Sequence, residues 1–167
     1  MKLKFGDYTV ETTNSRSDLV YKRYAETGLV IQDTFYPGNY LIDCKYKEDI
    51  VGSLTINMVH DKFAAFLNYP EEISELHSQG KVLAEFTKFA IEKDQPTRFV
   101  MGCMFNLLFR ICVIRHGVTH FIAEAIPSHA AAYKRLLKFE VFGEPKWNEV
   151  GQSPASLLLM DVNRHAW

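Results

Sequence analysis

The chain has 167 residues, long enough for one domain with a real apolar core. Hydrophobic residues make up 47% and charged residues 23%, which excludes a disordered chain. Nineteen Lys and Arg face 20 Asp and Glu, a net charge of -1, so the basic excess of a nucleic-acid binder is absent.

Met1-Lys2-Leu3-Lys4-Phe5-Gly6-Asp7 has no apolar core of a secretory signal. The longest apolar stretch, Phe99 to Ile114, is short for a membrane span and carries Asn106 and Arg110. It reads as a buried helix of a soluble protein, and no membrane span is expected. Cys44, Cys103 and Cys112 are odd in number and lack CxxC spacing. The expected compartment is the reducing cytoplasm, with Cys103 and Cys112 as core residues.

In chain order, Ser17 to Glu26 reads as a first helix, capped by Ser15 or Ser17 and ended by Gly28. Pro37-Gly38-Asn39 is a turn. Tyr40 to Tyr46 and Ile50 to Val59 read as an antiparallel hairpin around a turn within Lys45 to Asp49. Glu71 to His77 is a short helix between Pro70 and Gly80, and Val82 to Ile91 is a strand. Asp94-Gln95-Pro96-Thr97 starts a long helix, capped by Asp94 or Thr97, that runs to about His116 and stops at Gly117. Thr119 to Ala125 is a strand, and Pro127 to Lys138 a helix. Glu140 to Trp147 and Ser156 to Val162 close the chain as strands.

This order predicts an α/β (α+β) fold, a mixed central sheet of about six to seven strands flanked by helices, as one domain over residues 1–167. Strand 82–91, helix 97–116 and strand 119–125 have the length of a right-handed crossover, so the two strands should be parallel.

Several segments resemble the GNAT superfamily of N-acyltransferases. Glu124-Ala125-Ile126-Pro127-Ser128-His129-Ala130-Ala131-Ala132-Tyr133-Lys134-Arg135-Leu136-Leu137-Lys138-Phe139 is similar to its strand followed by A-x-x-x-Y-x-x-x-G-F, with Lys138 in place of Gly. A narrower resemblance is to the N-acyl amino acid synthase and acyl-homoserine-lactone synthase branch. Val20-Tyr21-Lys22-Arg23-Tyr24 resembles its first helix. Ile50-Val51-Gly52-Ser53-Leu54-Thr55 resembles V-G-S/T-L-R with Thr55 for Arg. Glu85-Phe86-Thr87-Lys88-Phe89-Ala90-Ile91 resembles E-x-S/T-R-F-x-V with Lys88 for Arg.

The resemblance implies a GNAT fold and transfer of an acyl group from a thioester to a primary amine, an amino acid among the candidates. It implies Tyr133 as the acid for the leaving thiolate and Glu85 as base or amine anchor. The residue-level alternatives are a Tyr133 packed with Leu136 and Leu137, and a Glu85 on an exposed strand face or paired with Lys88. Strand alternation puts Glu85, Thr87 and Phe89 on one side and Lys88 on the other.

Donor binding falls by the same resemblance to Phe89, Ala90, Ile91, Arg98 and Gly102, and acceptor or acyl-chain binding to Arg23, Thr87, Met104, Phe105 and Leu108. Gln95-Pro96-Thr97-Arg98-Phe99-Val100-Met101-Gly102 departs from Q/R-x-x-G-x-G/A, and Pro96 removes one donor of a pyrophosphate cradle. That favours the single phosphate of phosphopantetheine on acyl carrier protein over coenzyme A, with no permanently bound cofactor. The apolar helix reads first as core; alternatively Met101, Met104, Phe105 and Leu108 line an acyl slot. Arg110 needs a partner, with Glu124 and Asp161 as candidates.

No metal site is expected, since Gly117 separates His116 from His120. His129 reads as an exposed first-turn residue. The other functional readings are an acetyl-CoA-dependent N-acetyltransferase and a non-catalytic GNAT-shaped module that binds an acyl ligand or a partner. An acidic carrier protein would meet Arg16, Lys22, Arg23, Lys134, Arg135 and Lys138.

Overall fold

A computed structural model describes residues 1–29, 31 and 37–164. These contain nine strands, β1 (Lys2–Phe5), β2 (Tyr8–Thr13), β3 (Asn39–Tyr46), β4 (Asp49–Asn57), β5 (Leu83–Ile91), β6 (His120–Ala125), β7 (Glu140–Val141), β8 (Lys146–Asn148) and β9 (Ser153–Asp161). The α-helices are α1 (Asp18–Ala25), α2 (Pro70–Ser78), α3 (Thr97–Phe109) and α4 (Pro127–Leu137). The described residues form two compact units, Met1–Ile56 with Phe86–His116, and Asn57–Glu85 with Gly117–Trp167.

In the first unit the strand order is β1-β2-β3-β4-β5, with the Phe86–Ile91 part of β5. β1, β2 and β3 are antiparallel neighbours. β3 and β4 are joined at Lys47 and Glu48, and Lys47 adopts a left-handed φ of 55° to close the hairpin. Gly52 is buried in β4 under α3. A β-carbon built there would stand 2.7 Å from Val100 Cγ1 and 3.0 Å from Met104 Cε, so only glycine lets the helix approach. α3 buries Val100, Met101, Cys103, Met104, Phe105, Leu107 and Leu108. The helical stretch Thr97–Arg115 is long and apolar enough to cross a bilayer by composition; its buried face is that of a core helix.

In the second unit the order is β5-β6-β9-β7, with β8 also on β9. β5 and β6 pair in parallel, Leu83 with His120 through Glu85 with Ile122, as the crossover length predicts. Its core joins Phe63, Ala65, Tyr69, Ile73, Leu76, Leu83, Ile122 and Leu157. The Tyr69 hydroxyl donates to the Ala155 carbonyl at 2.5 Å and accepts from the Lys146 N–H at 3.1 Å, so this fully buried phenol is satisfied.

Several expectations are corrected. The sheet strands number nine because an N-terminal hairpin, β1–β2, turns at Gly6 (φ 61°) and because Glu140 to Trp147 divides into β7 and β8. β4 ends at Asn57 rather than Val59; the Asn57 side chain takes the Val59 N–H and donates to the Lys62 carbonyl, and short 3₁₀ turns follow at His60–Lys62 and Ala64–Leu67. The long helix changes to a π-helical turn at Arg110–Arg115. Pro96 occupies its N-cap, with no side-chain cap bond from Asp94 or Thr97. Ser17 is the N-cap of α1, yet its buried hydroxyl makes no cap bond. Arg110 is exposed and donates to Asn106 Oδ1, one turn back on the same helix, a partner not foreseen from the sequence.

Candidate active site

The second unit holds both residues assigned to catalysis. Glu85 is the last β5 residue in the parallel ladder and is 2% exposed. Its two oxygens take the first free N–H groups of the 64–67 turn, Oε2 from Ala64 and Oε1 from Ala65, both at 2.8 Å. A helical turn leaves its leading N–H groups without internal acceptors, and here a carboxylate from a distant strand supplies them. Glu85 is therefore not on an exposed strand face.

Tyr133 lies half-buried on α4, its ring 6.5 Å from that of His129 and 6.1 Å from that of Phe139. His129 is half-buried rather than exposed, and burial holds its pKa below the ordinary histidine value. Lys138 ends α4 in the left-handed conformation (φ 57°), the position where a glycine is usual.

β6 carries Glu124 two residues beyond Ile122, on the same face. Its Oε1 accepts from Asn68 Nδ2 at 2.6 Å and from Asn148 Nδ2 at 2.9 Å. The Asn148 amide is oriented by accepting the Gly151 N–H at 2.6 Å. Sequence reasoning gave Glu124 only a structural role toward Arg110. Its two amide arms lie 56 and 24 residues away, so no local spacing signals them.

The remaining assigned residues lie in the first unit. Within β5, Lys88 has a left-handed φ of 53°, which interrupts the strand's alternation. The period-two assignment of Glu85, Thr87 and Phe89 to one side therefore holds only as far as Thr87. Phe86 packs against Phe89 and Phe105, each pair of rings 5.5 Å apart. Ala90 packs with Leu19 and Val20 of α1, and Ile91 closes the strand half-buried. The Tyr24 hydroxyl bonds to the Phe89 backbone, and burial pushes its pKa to about 12. Arg23 forms an ion pair with Glu26, and Lys22 one with Glu92.

Arg98 is exposed in the first turn of α3. The Thr97 and Arg98 N–H groups precede the first helical acceptor, because the Phe99 N–H already reaches the Pro96 carbonyl. Gly102 is exposed with nothing within 4 Å of a built β-carbon. Met104 and Leu108 are fully buried and Phe105 is 3% exposed. No group of three or more metal-ligating side chains occurs among the described residues. All three cysteines are buried and free, and burial pushes the Cys44 and Cys112 thiols up to about 12.

A parallel β5–β6 pair, with α3 between its strands in the chain and α4 after β6, has the element order of the GNAT fold. Residues 15–161 match the family described as N-acyl amino acid synthase FeeM. The chain belongs to that family. Among solved structures it is similar to FeeM, an N-acyl amino acid synthase from uncultured soil microbes, with 19% identity, TM-score 0.79, and 93% and 91% of the two chains covered. The AHL synthase LasI shares the fold at 12% identity and TM-score 0.59, covering 92% and 88%. So does Arabidopsis thaliana NAA60 in complex with acetyl-CoA, at 12% identity and TM-score 0.64, covering 93% and 99%. No curated protein sequence matches the chain.

Proposed function

We propose that the chain acts in the cytoplasm as a single acyltransferase domain that moves a medium or long acyl group from acyl carrier protein to the amine of an amino acid. Membership in the FeeM family over residues 15–161 is the observation that carries this reading. The amine nitrogen attacks the thioester carbonyl, an N–C bond forms, and the C–S bond breaks. The amine loses a proton to Glu85, directly or through water. The leaving thiolate takes one from the Tyr133 hydroxyl. Glu85 also serves as the rigid end of the site, since its two backbone donors fix its orientation.

The donor side is supported by the first turn of α3. Two free N–H groups and the exposed Arg98 suit one phosphate better than a pyrophosphate. Gly102 keeps the outer face of the next turn bare for the pantetheine arm. Phe89, Ala90 and Ile91 supply the β5 backbone along which that arm pairs. Met104, Phe105 and Leu108 lie in the core, so an acyl chain reaches them only by displacing that packing, each methylene it buries contributing about 0.8 kcal/mol. Arg23 and Thr87 are proposed as substrate-binding residues on the family resemblance alone.

Carrier-protein docking is assigned to Lys134, Arg135 and Lys138 on α4. All three are exposed and make no ion pair among the described residues. Lys22 and Arg23 of α1 are instead engaged with Glu92 and Glu26.

Product mass spectrometry tests the reading. Purified protein is incubated with acyl carrier protein and coenzyme A thioesters, acetyl to palmitoyl, and mixed amino acids and amines. The expected product is a long-chain N-acyl amino acid from the carrier-protein donor. An N-acetyl product made only from acetyl-CoA would overturn the donor assignment. Tight donor binding with no amide formed would point instead to a binding module. Donor binding should weaken strongly between low and high salt.

A further inference from the structure

Glu124 is a half-buried carboxylate with no cationic partner among the described residues. Both of its hydrogen bonds come from neutral amides, and both end on Oε1. Lys146, a cation of the strand that carries Asn148, is engaged with Glu72 at 2.7 Å. Glu11, Glu72 and Glu85 are handled differently. Glu11 is paired to Lys2 and Lys45, Glu72 to Lys146, and Glu85 has both oxygens bonded to backbone N–H groups. Unlike Glu11 and Glu72, Glu124 has no cation paired to it among the described residues, and unlike Glu85 one of its oxygens, Oε2, receives no hydrogen bond from them.

The scaffold around it is rigid. Asn68 follows the turn whose first N–H groups are held by Glu85. Asn148 is locked by the Gly151 N–H, and a β-carbon built at Gly151 would stand 2.9 Å from Ile126 Cγ2, beside the end of β6. Two amide donors on one oxygen repel a cation there and leave the other oxygen as the docking point. A ligand that carries positive charge and N–H donors fits such an oxygen.

We propose that Glu124 Oε2 receives the ammonium group of the acceptor, with Asn68 and Asn148 as its positioning residues. The assignment rests on the chain being an amine acyltransferase. It separates two duties: Glu124 selects and orients a primary ammonium, and the base acts on it afterwards. Neutral or anionic nucleophiles such as alcohols and thiols gain nothing from this carboxylate.

E124Q is the decisive variant, because the Gln carbonyl oxygen still accepts both amide donors while the charge is removed. A charge-assisted hydrogen bond contributes about 1.5–3 kcal/mol, so the amine KM should rise about 10- to 100-fold. The donor KM should stay within about twofold, since the amide scaffold is retained. An amine KM unchanged in a folded E124Q protein overturns the assignment. Wild-type protein that forms no amide from any donor would sink the acyltransferase reading instead. Glu124 is then decided by ligand-observed NMR with glycine and n-butylammonium and no donor present. Binding by wild type that is lost in E124Q supports the assignment; equal binding, or none by wild type, overturns it. A titration of wild-type protein with ¹³C-labelled Glu side chains needs no variant. The Glu124 carboxyl signal should move as n-butylammonium is added, and an unmoved signal counts against the assignment.

Discussion

Glu85 and Glu124 are held by opposite ends of one short segment. The Ala64 and Ala65 N–H groups bond to Glu85, and the Asn68 side chain, three residues on, bonds to Glu124. Glu85 pairs across the parallel ladder with Ile122, two residues before Glu124, so both carboxylates stand on one face of the sheet. A single 3₁₀ turn thus sets the spacing of two acidic groups that come from different strands.

Glu85→Gln should destabilise the fold as well as slow the reaction. A carboxylate accepts at both oxygens, whereas Gln presents an NH₂ group to one backbone N–H. One bond is lost and two donors are opposed, at a cost of about 1–3 kcal/mol. Urea unfolding should show the lowered midpoint. A variant as stable as wild type would mean that the Ala64 and Ala65 donors do not depend on this carboxylate.

Tyr133→Phe isolates the hydroxyl. The ring contacts with His129 and Phe139 survive, so the variant should still fold, which circular dichroism checks. Loss of a general acid lowers kcat on the order of 100-fold or more. Steady-state product formation checks this, and unchanged turnover removes Tyr133 from the mechanism.

Gly52→Ala tests the packing of α3 on β4. The added methyl group meets Val100 Cγ1 at 2.7 Å, inside van der Waals contact. Overpacking of this kind costs about 1–3 kcal/mol. The expected result is a lower melting temperature, and Val100→Ala in the same protein should restore part of it by opening the space.

Acidification should destabilise the protein below about pH 6.5, the ordinary histidine pKa. Burial is the main cause that lowers the pKa of His77, His120 and His129; the His60 ring adds to it for His77, while Asp161 opposes it for His120. The unfolded chain therefore binds protons that the folded one resists, so stability is retained above that pH and lost as pH falls toward the folded values. Urea midpoints at pH 7.5 and 5.5 should differ in that direction. His77→Gln should shrink the difference, because His77 stacks edge-on against His60 with ring centres 3.7 Å apart.

Much of the fold was legible in local pattern. The strand, helix and strand from Val82 to Ala125 carry a strong start at Pro96, a stop at Gly117 and the length of a crossover, and they form the parallel pair that those features demand. Short polar elements were not legible. Lys2–Phe5 and Tyr8–Thr13 alternate weakly around Gly6-Asp7, and their hairpin is stabilised by pairing with β3, whose register no local window contains.

Sequence alone determined the class of the protein: the motifs around Glu85 and Tyr133, in their order, carry the family resemblance because backbone crossover and chemistry constrain residues close together in the chain. Only tertiary structure decided how the carboxylates are held. Glu85 became a turn anchor and Glu124 an oriented, unneutralised charge through donors 20 to 56 residues away. Hydrogen-bond partners at such separation are set by strand register and turn geometry, which leave no periodic trace in the residues themselves.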